Sequence, residues 1–284
     1  MKILVLGCNG MLGHVVSLYL LNRGYDVTGF ARDTKLNIPI IIGDATDTHN
    51  LAGLIRNGNY DVVVNCIGIL NQSAENHKAQ AVFLNSYLPH YLAEITYKLK
   101  TKIVHISTDC VFSGKTGGYT EDSVPDGTSF YDRSKSLGDL CDDKNITIRT
   151  SIIGPDINSE GIGLFNWFMR QQGTVNGYTK AIWTGQTTLQ LAKTIEVAIH
   201  NNVAGLHHMV PSISISKYNL LVLFNKLFRK NSLTIVPSDK IQVDKSLIRT
   251  NFSLKYDIPT YEEMLLDMYK WIKNNRNLYP HYQM

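Results

Sequence analysis

Apolar residues in the first half of the chain fall into short continuous runs separated by stretches of helical spacing. The run Ile3 to Leu6 ends in glycines. Leu12, Val15, Val16, Tyr19 and Leu20 then recur on one helix face until Gly24 interrupts, which reads as strand, turn, helix. Asp26 to Phe30 predicts a second strand, Ile38 to Ile42 a third, and Leu51 to Asn57 a helix that leads into Val62, Val63 and Val64. A long helix from about Lys78 to Leu99 precedes a strand at Lys102 to Ser107, and a helix from Tyr131 to Cys141 precedes one at Ile146 to Arg149. Val- and Ile-rich runs without polar alternation suit strands covered on both faces. Strand and helix in alternation predict an α/β fold, a doubly wound and mostly parallel sheet.

Beyond Arg149 the rhythm loosens around Gly154, Gly161, Gly163, Gly173 and Gly177. Helical spacing returns at Thr188 to Ile199, Lys217 to Phe228 and Tyr261 to Lys273. Residues 1–150 are therefore expected to form the sheet domain. Residues 151–284 should form a smaller substrate-binding region, with some elements packing back on the sheet and a cleft between the two parts.

Composition narrows the class. The 28 Lys and Arg against 24 Asp and Glu leave a formal charge of +4 without long runs, so neither a nucleic-acid stripe nor a membrane-surface patch is expected. Cys8, Cys66, Cys110 and Cys141 lie far apart with no C-x-x-C pair, which speaks for free thiols in a reducing cytoplasm and against structural zinc. Adjacent His207 and His208 would point to opposite faces of a strand, so no metal site is expected. No apolar run approaches the ~18 residues of a membrane span, and the N-terminal run is too short for a signal peptide.

Gly7-Cys8-Asn9-Gly10-Met11-Leu12-Gly13 follows the first strand and opens the first helix, the context of a glycine-rich phosphate loop. Glycines let the backbone approach a pyrophosphate, and the helix N-terminus favours its charge. The spacing is G-x-x-G-x-x-G, and dinucleotide binding is the expectation. At the end of the second strand Arg32 can pair with a 2′-phosphate through its planar fork of donors, which favours NADPH. Asp33 beside it keeps NADH open.

The strand Lys102 to Ser107 leads into Thr108, so hydroxyls sit at the carboxyl end of a sheet strand, where open α/β sheets bind ligands. Tyr131 and Lys135 are four apart on one helix face. The ammonium is expected to favour phenolate and lower the tyrosine pKa, so that Tyr131 can give a proton to a carbonyl oxygen held by Thr108. Tyr269 and Lys273 repeat the spacing, but they follow no hydroxyl-bearing strand and read as a surface pair.

These motifs, with Gly43-Asp44, Asn65-Cys66-Ile67-Gly68, the helix carrying Asn85, Ser107-Thr108-Asp109-Cys110-Val111-Phe112-Ser113-Gly114 and Arg149-Thr150-Ser151, resemble the extended short-chain dehydrogenase/reductases. Within them the resemblance is to the dTDP-4-dehydrorhamnose reductase-like branch, over residues 1 to about 200. It implies a Rossmann domain, NADPH as cofactor, a nucleotide-linked 4-keto-6-deoxy sugar as substrate, a role in polysaccharide biosynthesis, and commonly a homodimer. It places Asp44 and Ala45 beside the adenine, Cys66, Ile67 and Gly68 along the cofactor, with Asn85 and Ser107 also on the cofactor side, and Lys135 on the nicotinamide ribose. Asp109, Val111, Phe112, Ser151 and Ile152 fall on the substrate side. Two departures stand out: Asp132 occupies a position where the family usually has a small residue, and Ile152 one where rhamnose-forming reductases tend to carry an aromatic. No Glu follows Asp109, which disfavours a sugar-nucleotide dehydratase.

Trp183 suits stacking on a base or sugar as well as it suits a core. Arg249 could meet a diphosphate through bidentate bonds. Besides a reductase, a sugar-nucleotide epimerase would use the same trio. A non-catalytic regulatory subunit, like the one that accompanies methionine adenosyltransferase, would have no need of Tyr131 and Lys135 together.

Overall fold

A computed structural model describes all 284 residues. The chain runs through β1 (Lys2–Leu6), α1 (Gly13–Asn22), β2 (Asp26–Ala31), β3 (Ile40–Ile42), α2 (Thr48–Gly58) and β4 (Val62–Asn65). It continues through α3 (Asn71–Asn76), α4 (Lys78–Ala81), α5 (Leu88–Thr96), β5 (Lys102–Ser107), α6 (Phe130–Ser136) and β6 (Ile146–Arg149). The second half adds β7 (Ile152–Ile153), α7 (Leu164–Met169), β8 (Thr174–Trp183), β9 (Gln186–Thr187), α8 (Thr188–His200), β10 (Gly205–His208), β11 (Ile215–Ser216), α9 (Lys217–Phe228), β12 (Thr234–Asp244) and α10 (Tyr261–Asn274).

Seven strands form one parallel sheet in the order β10-β6-β5-β4-β1-β2-β3. Side-chain alternation along β1 shows why its run is uninterrupted. Ile3 and Val5 enter the core shared with α1 and α8, while Leu4 and Leu6 enter the core on the α2 and α5 face. The seventh strand and α8 come from the second half, so residues beyond 150 complete the sheet and cover one of its faces. The rest of that half builds a separate core, in which α7, α9 and α10 pack against a three-stranded sheet ordered β11-β8-β12. No helix is long and apolar enough to cross a membrane.

Two predicted helices differ from expectation. The long helix after Lys78 contains a π turn over Val82–Tyr87. Pro89 has no N–H for the Asn85 carbonyl four residues earlier, and the freed oxygen is approached so closely by Gly138 that a Cβ there would lie 1.9 Å away. The helix expected from Tyr131 to Cys141 stops at Ser136, and Gly138, just beyond it, makes that approach.

Candidate active site

The turn from β1 into α1 is built for close approach. Gly7 has φ +75, and a Cβ on Gly13 would stand 2.1 Å from the Gly7 carbonyl oxygen. Gly7, Asn9, Gly10, Arg32, Asp44, Ala45, Cys66, Ile67 and Gly68 all line one groove of about 820 Å³ along the carboxyl ends of β1, β2, β3 and β4. Within it Asp33 is already engaged: it accepts from Asn9 Nδ2 at 2.7 Å and faces Lys35 Nζ at 3.6 Å. Asp44 is likewise held by the Thr46 N–H and hydroxyl, which keep its carboxyl below the usual range.

Leu12 turns into the core beneath α1, away from the groove. Met11 faces Gly163, in the segment that enters α7. The sequence reading missed Lys35, Ser73, His77, Gln80 and Leu84, which also line the groove. Gln80 and Leu84 stand four apart on the helix predicted after Lys78, a signal the sequence offered, whereas Ser73 belongs to α3 and His77 to the break between α3 and α4.

A dinucleotide fits these residues on two structural grounds. The glycine cradle leaves room only for backbone against a phosphate. At the carboxyl end of β5 the buried Ser107 hydroxyl has no partner in the protein.

Thr108 follows Ser107 as the cap of a single helical turn over Asp109–Val111. Its Oγ1 accepts from the Cys110 N–H at 3.1 Å and donates to Asp109 Oδ1 at 3.1 Å. Burial raises the Asp109 carboxyl, against the opposing charges of Lys217 and Lys245. Tyr131 comes to the same place from α6, with Thr108 and Cys110 facing its phenol. The N-terminus of α6 is firmly fixed by a capping box: Ser129 Oγ accepts from the Asp132 N–H at 3.0 Å and Asp132 Oδ2 from the Ser129 N–H at 3.2 Å. The unusual Asp132 thus anchors the helix that carries the tyrosine.

Lys135, one turn on, is buried and donates from Nζ to the Ile106 carbonyl at 2.8 Å. Burial pulls it down to about 8, against the opposing influence of Asp139 and Cys66. The expected lowering of the Tyr131 pKa is absent: burial raises it, and the nearby Cys110 and Asp109 add to the rise. Desolvation dominates at the phenol, and Nζ of Lys135 is turned toward the Ile106 carbonyl of β5.

Several predicted contacts are corrected by the geometry. Asn85 is fully enclosed, with its amide spent on the Ile69 N–H and carbonyl and on Ser134 Oγ, so it ties the loop after β4 to α6 and has nothing left for a cofactor. Val111 and Phe112 belong to a small core with Tyr119, Val210 and Leu247, where Phe112 stacks on Tyr119 at 4.2 Å. Trp183 is 3% exposed and packs between Tyr261 and the Lys217 ammonium, 4.6 Å above its ring, so it is not free to stack on a base. Arg249 spends its guanidinium on the carbonyls of Asn251, Leu254 and Tyr256, bracing its own loop. Ser151 and Ile152 remain half-buried beside β9, with the Ser151 carbonyl accepting from Gln186 N–H. Lys217 and Lys245, which the sequence did not single out, face Asp109 from the second half of the chain. Tyr269 and Lys273 pair with each other on α10, the ammonium 4.9 Å above the ring.

A parallel seven-stranded sheet with a glycine loop at its first crossover, and a threonine, tyrosine and lysine gathered at the end of β5, define a Rossmann-type protein of the extended short-chain dehydrogenase/reductase fold. The chain belongs to the family described as the RmlD substrate binding domain, which matches residues 1–271. Over 139 residues it is 32% identical to a probable low-salt glycan biosynthesis reductase of Haloferax volcanii, covering 48% of this chain and 46% of the relative. Over 146 residues it is 29% identical to a dTDP-4-dehydrorhamnose reductase of Mycobacterium tuberculosis, covering 49% and 44%. The match thus spans about half the length of these curated relatives. Among solved structures, a hypothetical dTDP-4-dehydrorhamnose reductase from Sulfolobus tokodaii aligns over 94% of this chain and 99% of its own, with TM-score 0.80 and 24% identity. A Bacillus anthracis dTDP-4-dehydrorhamnose reductase in complex with NADP aligns over 95% and 99%, with TM-score 0.80 and 20% identity. Both likenesses establish the fold.

Proposed function

We propose that this chain is an NADPH-dependent reductase of a nucleotide-linked 4-keto-6-deoxy sugar, serving deoxysugar synthesis for cell-surface polysaccharide in the cytoplasm. The observation that carries the reading is the meeting of Thr108, Tyr131 and Lys135 at the carboxyl end of β5, beside a groove made by the glycine loop and Arg32. The names of the relatives agree with it.

Arg32 and Lys35 would hold the 2′-phosphate, and Asp33 is kept from opposing it by Asn9 and Lys35. Lys135 has donors left for the nicotinamide ribose once Ile106 is satisfied. Bound NADPH supplies the hydride. Tyr131, held protonated by burial, donates its phenolic proton to the sugar carbonyl oxygen. Thr108 turns its O–H from Asp109 to the same oxygen and fixes its place. Lys217 and Lys245 put two positive charges on the substrate side, where a nucleotide sugar brings its diphosphate. On this reading residues 151–284 supply most of the substrate wall, and β10 and α8 belong to the sheet domain.

The test is NADPH and NADH oxidation by the purified chain with a panel of dTDP- and UDP-linked 4-keto-6-deoxyhexoses. Turnover with NADPH and one of these sugars is expected, with Tyr131→Phe inactive yet still binding the cofactor. A dinucleotide that survives purification, without turnover on any sugar, would replace the reductase by an epimerase. Identical behaviour of parent and Tyr131→Phe would remove the enzymatic reading.

A further inference from the structure

Two lysines from the second half of the chain converge on the end of β8. Lys217 opens α9 directly after Ser216, which pairs with Ile182 on the antiparallel side, and Lys245 follows Asp244, which pairs with the same Ile182 on the parallel side. The segment after the Asp109–Val111 turn is tied to this point as well, since the Gly114 carbonyl accepts the Asp244 N–H at 2.8 Å. Lys245 runs its stem along Gly114, where a Cβ would stand 2.9 Å from its Cγ. Lys217 instead lays its ammonium on the face of Trp183, 4.6 Å above the ring.

That ammonium makes no hydrogen bond or ion pair with the protein. A ring face offsets part of the cost of enclosing a charge, but N–H groups turned away from it still call for acceptors. Burial pulls Lys217 down to about 8, so it stays mostly charged at neutral pH, and Asp109 and Cys110 act on it from beyond contact. Burial also keeps the Cys110 thiol protonated, which leaves Asp109 as the charge that Lys217 faces.

Asp109 stands one contact from the reacting position. The Thr108 hydroxyl accepts the Cys110 N–H, so its own proton goes to Asp109 Oδ1 at 3.1 Å. When Thr108 turns that proton to a carbonyl oxygen, Asp109 loses a donor. Neighbouring oxygens on a pyranose ring are about one hydrogen-bond length apart, as Thr108 Oγ1 and Asp109 Oδ1 are. A sugar that sets its carbonyl oxygen on Thr108 therefore brings the oxygen of the next carbon to Asp109. The group between Asp109 and Lys217 must donate to the first and accept from the second, and a hydroxyl does both. A phosphate would set an anion against Asp109, an amino group would set a cation against Lys217, and a bare methylene would leave both without partners.

We propose that Lys217 is a specificity-determining residue: with Asp109 it binds the free hydroxyl on the carbon next to the sugar carbonyl, the 3-hydroxyl of a 4-keto-6-deoxyhexose. The choice of sugar rests on the reductase reading. The two lysine charges still draw a diphosphate toward this wall, but the contact made by Nζ of Lys217 is with the sugar.

The test is calorimetric titration of the full chain, with NADP⁺ present, by three probes: a dTDP- or UDP-linked 6-deoxyhexose, its 3-deoxy counterpart, and the nucleoside diphosphate alone. The hydroxylated probe should bind the parent roughly a hundredfold more tightly than the 3-deoxy probe, as expected for two hydrogen bonds to charged groups. Lys217→Met should narrow that ratio about tenfold and leave the nucleoside diphosphate nearly unaffected. Unchanged NADP⁺ affinity shows that the variant folds. Lys217→Gln, which keeps an N–H donor without the charge, should recover part of the ratio, and it carries the decision by the same ratio if Lys217→Met does not fold. Equal losses for the sugar nucleotide and the nucleoside diphosphate would make Lys217 a diphosphate contact and overturn the proposal. A ratio unchanged in the variants, or absent from the parent, would overturn it too. A parent that shows the ratio yet reduces no 4-keto sugar ends the reductase reading and keeps this one. Equal turnover of 3-hydroxy and 3-deoxy 4-keto sugars does the opposite, and a parent that binds no sugar nucleotide removes both.

Discussion

The phenolic hydroxyl of Tyr279 lies 2.8 Å from Nε2 of His14, and this bond ties the segment after α10 to the phosphate loop. His14 is fully enclosed on α1 and donates from Nδ1 to the Gly10 carbonyl at 2.9 Å, while Trp271 Nε1 donates to the Tyr279 oxygen at 3.0 Å. Each polar atom in the chain from Trp271 to Gly10 is thereby satisfied. Tyr279→Phe strands an indole N–H and an imidazole nitrogen, which should cost about 1–3 kcal/mol of stability. Because Gly10 is the far end of the chain, dinucleotide affinity should fall several-fold in the same variant. Denaturant unfolding and a cofactor titration check the two effects. Lost stability with unchanged affinity would confine Tyr279 to packing.

Two buried histidines predict how stability depends on pH. Burial lowers both His14 and His208 to about 4 from the ordinary 6.5, and in His208 the Arg149 charge adds to the effect. The folded state therefore keeps them neutral where the unfolded chain binds protons. Unfolding free energy should fall as the pH drops from 6.5 toward 4, by up to about 1.4 kcal/mol per pH unit for each ring, and the loss should level off below that range. Glu121 adds to the loss at lower pH. Burial alone would raise it, but the Thr250 hydroxyl and the N–H groups of His208 and Thr250 outweigh this and hold it at about 2, so its contribution fades below its unfolded value of 4.5. Urea unfolding at a series of pH values measures the slope. A flat profile between neutral pH and pH 5 would contradict the assigned burial of both rings.

Arg149 and Asp139 form an ion pair at 2.5 Å with side chains 3% and 6% exposed. The same guanidinium bonds His208 Nε2 at 3.0 Å and lies 5.1 Å over the ring of Phe112, four residues after Thr108. Removing the guanidinium in Arg149→Met leaves a buried carboxylate without its partner and should cost about 3–5 kcal/mol. Arg149→Lys should rescue little, because a single ammonium cannot serve Asp139, His208 and the Phe112 face at once. Unfolding curves of the two variants decide the point: a lysine variant as stable as the parent would show that charge alone suffices.

The sheet domain was readable in the sequence because its signal is local. Each run of Val and Ile marks a strand covered on both faces, and the glycine loop announces itself by standing between a strand and a helix. The second half obscured its contribution for the opposite reason: β10 is four residues, Gly205 to His208, and what makes it a strand is its pairing with β6 across the chain. Tyr131 and Lys135 were legible from their spacing, but the direction of Lys135 was not. It depends on a histidine thirty residues earlier and on the carbonyl of Ile106. Trp183, Phe112 and Arg249 look like site residues in one dimension because aromatic and guanidinium groups bind ligands and also fill cores. Only packing told which use had been made of them.

Cofactor choice gives the most direct test of the groove. Asp33, just after β2, is the carboxylate at the position that usually accepts from adenosine ribose hydroxyls, and it is occupied by Asn9 Nδ2 at 2.7 Å and by Lys35 at 3.6 Å. Arg32 and Lys35 remain at the groove wall to meet a 2′-phosphate. Arg32→Ala should lower NADPH affinity by roughly ten- to a hundredfold, the worth of a charge-assisted phosphate contact, and leave NADH affinity nearly unchanged. Asn9→Ala should act the other way on the ratio by freeing Asp33 for ribose hydroxyls, so NADH binding improves while NADPH binding does not. Fluorescence titrations of both cofactors against the parent and the two variants give the ratios directly. Equal losses for NADPH and NADH in Arg32→Ala would mean that Arg32 holds the pyrophosphate or the adenine instead, and the preference for NADPH would then have to come from Lys35.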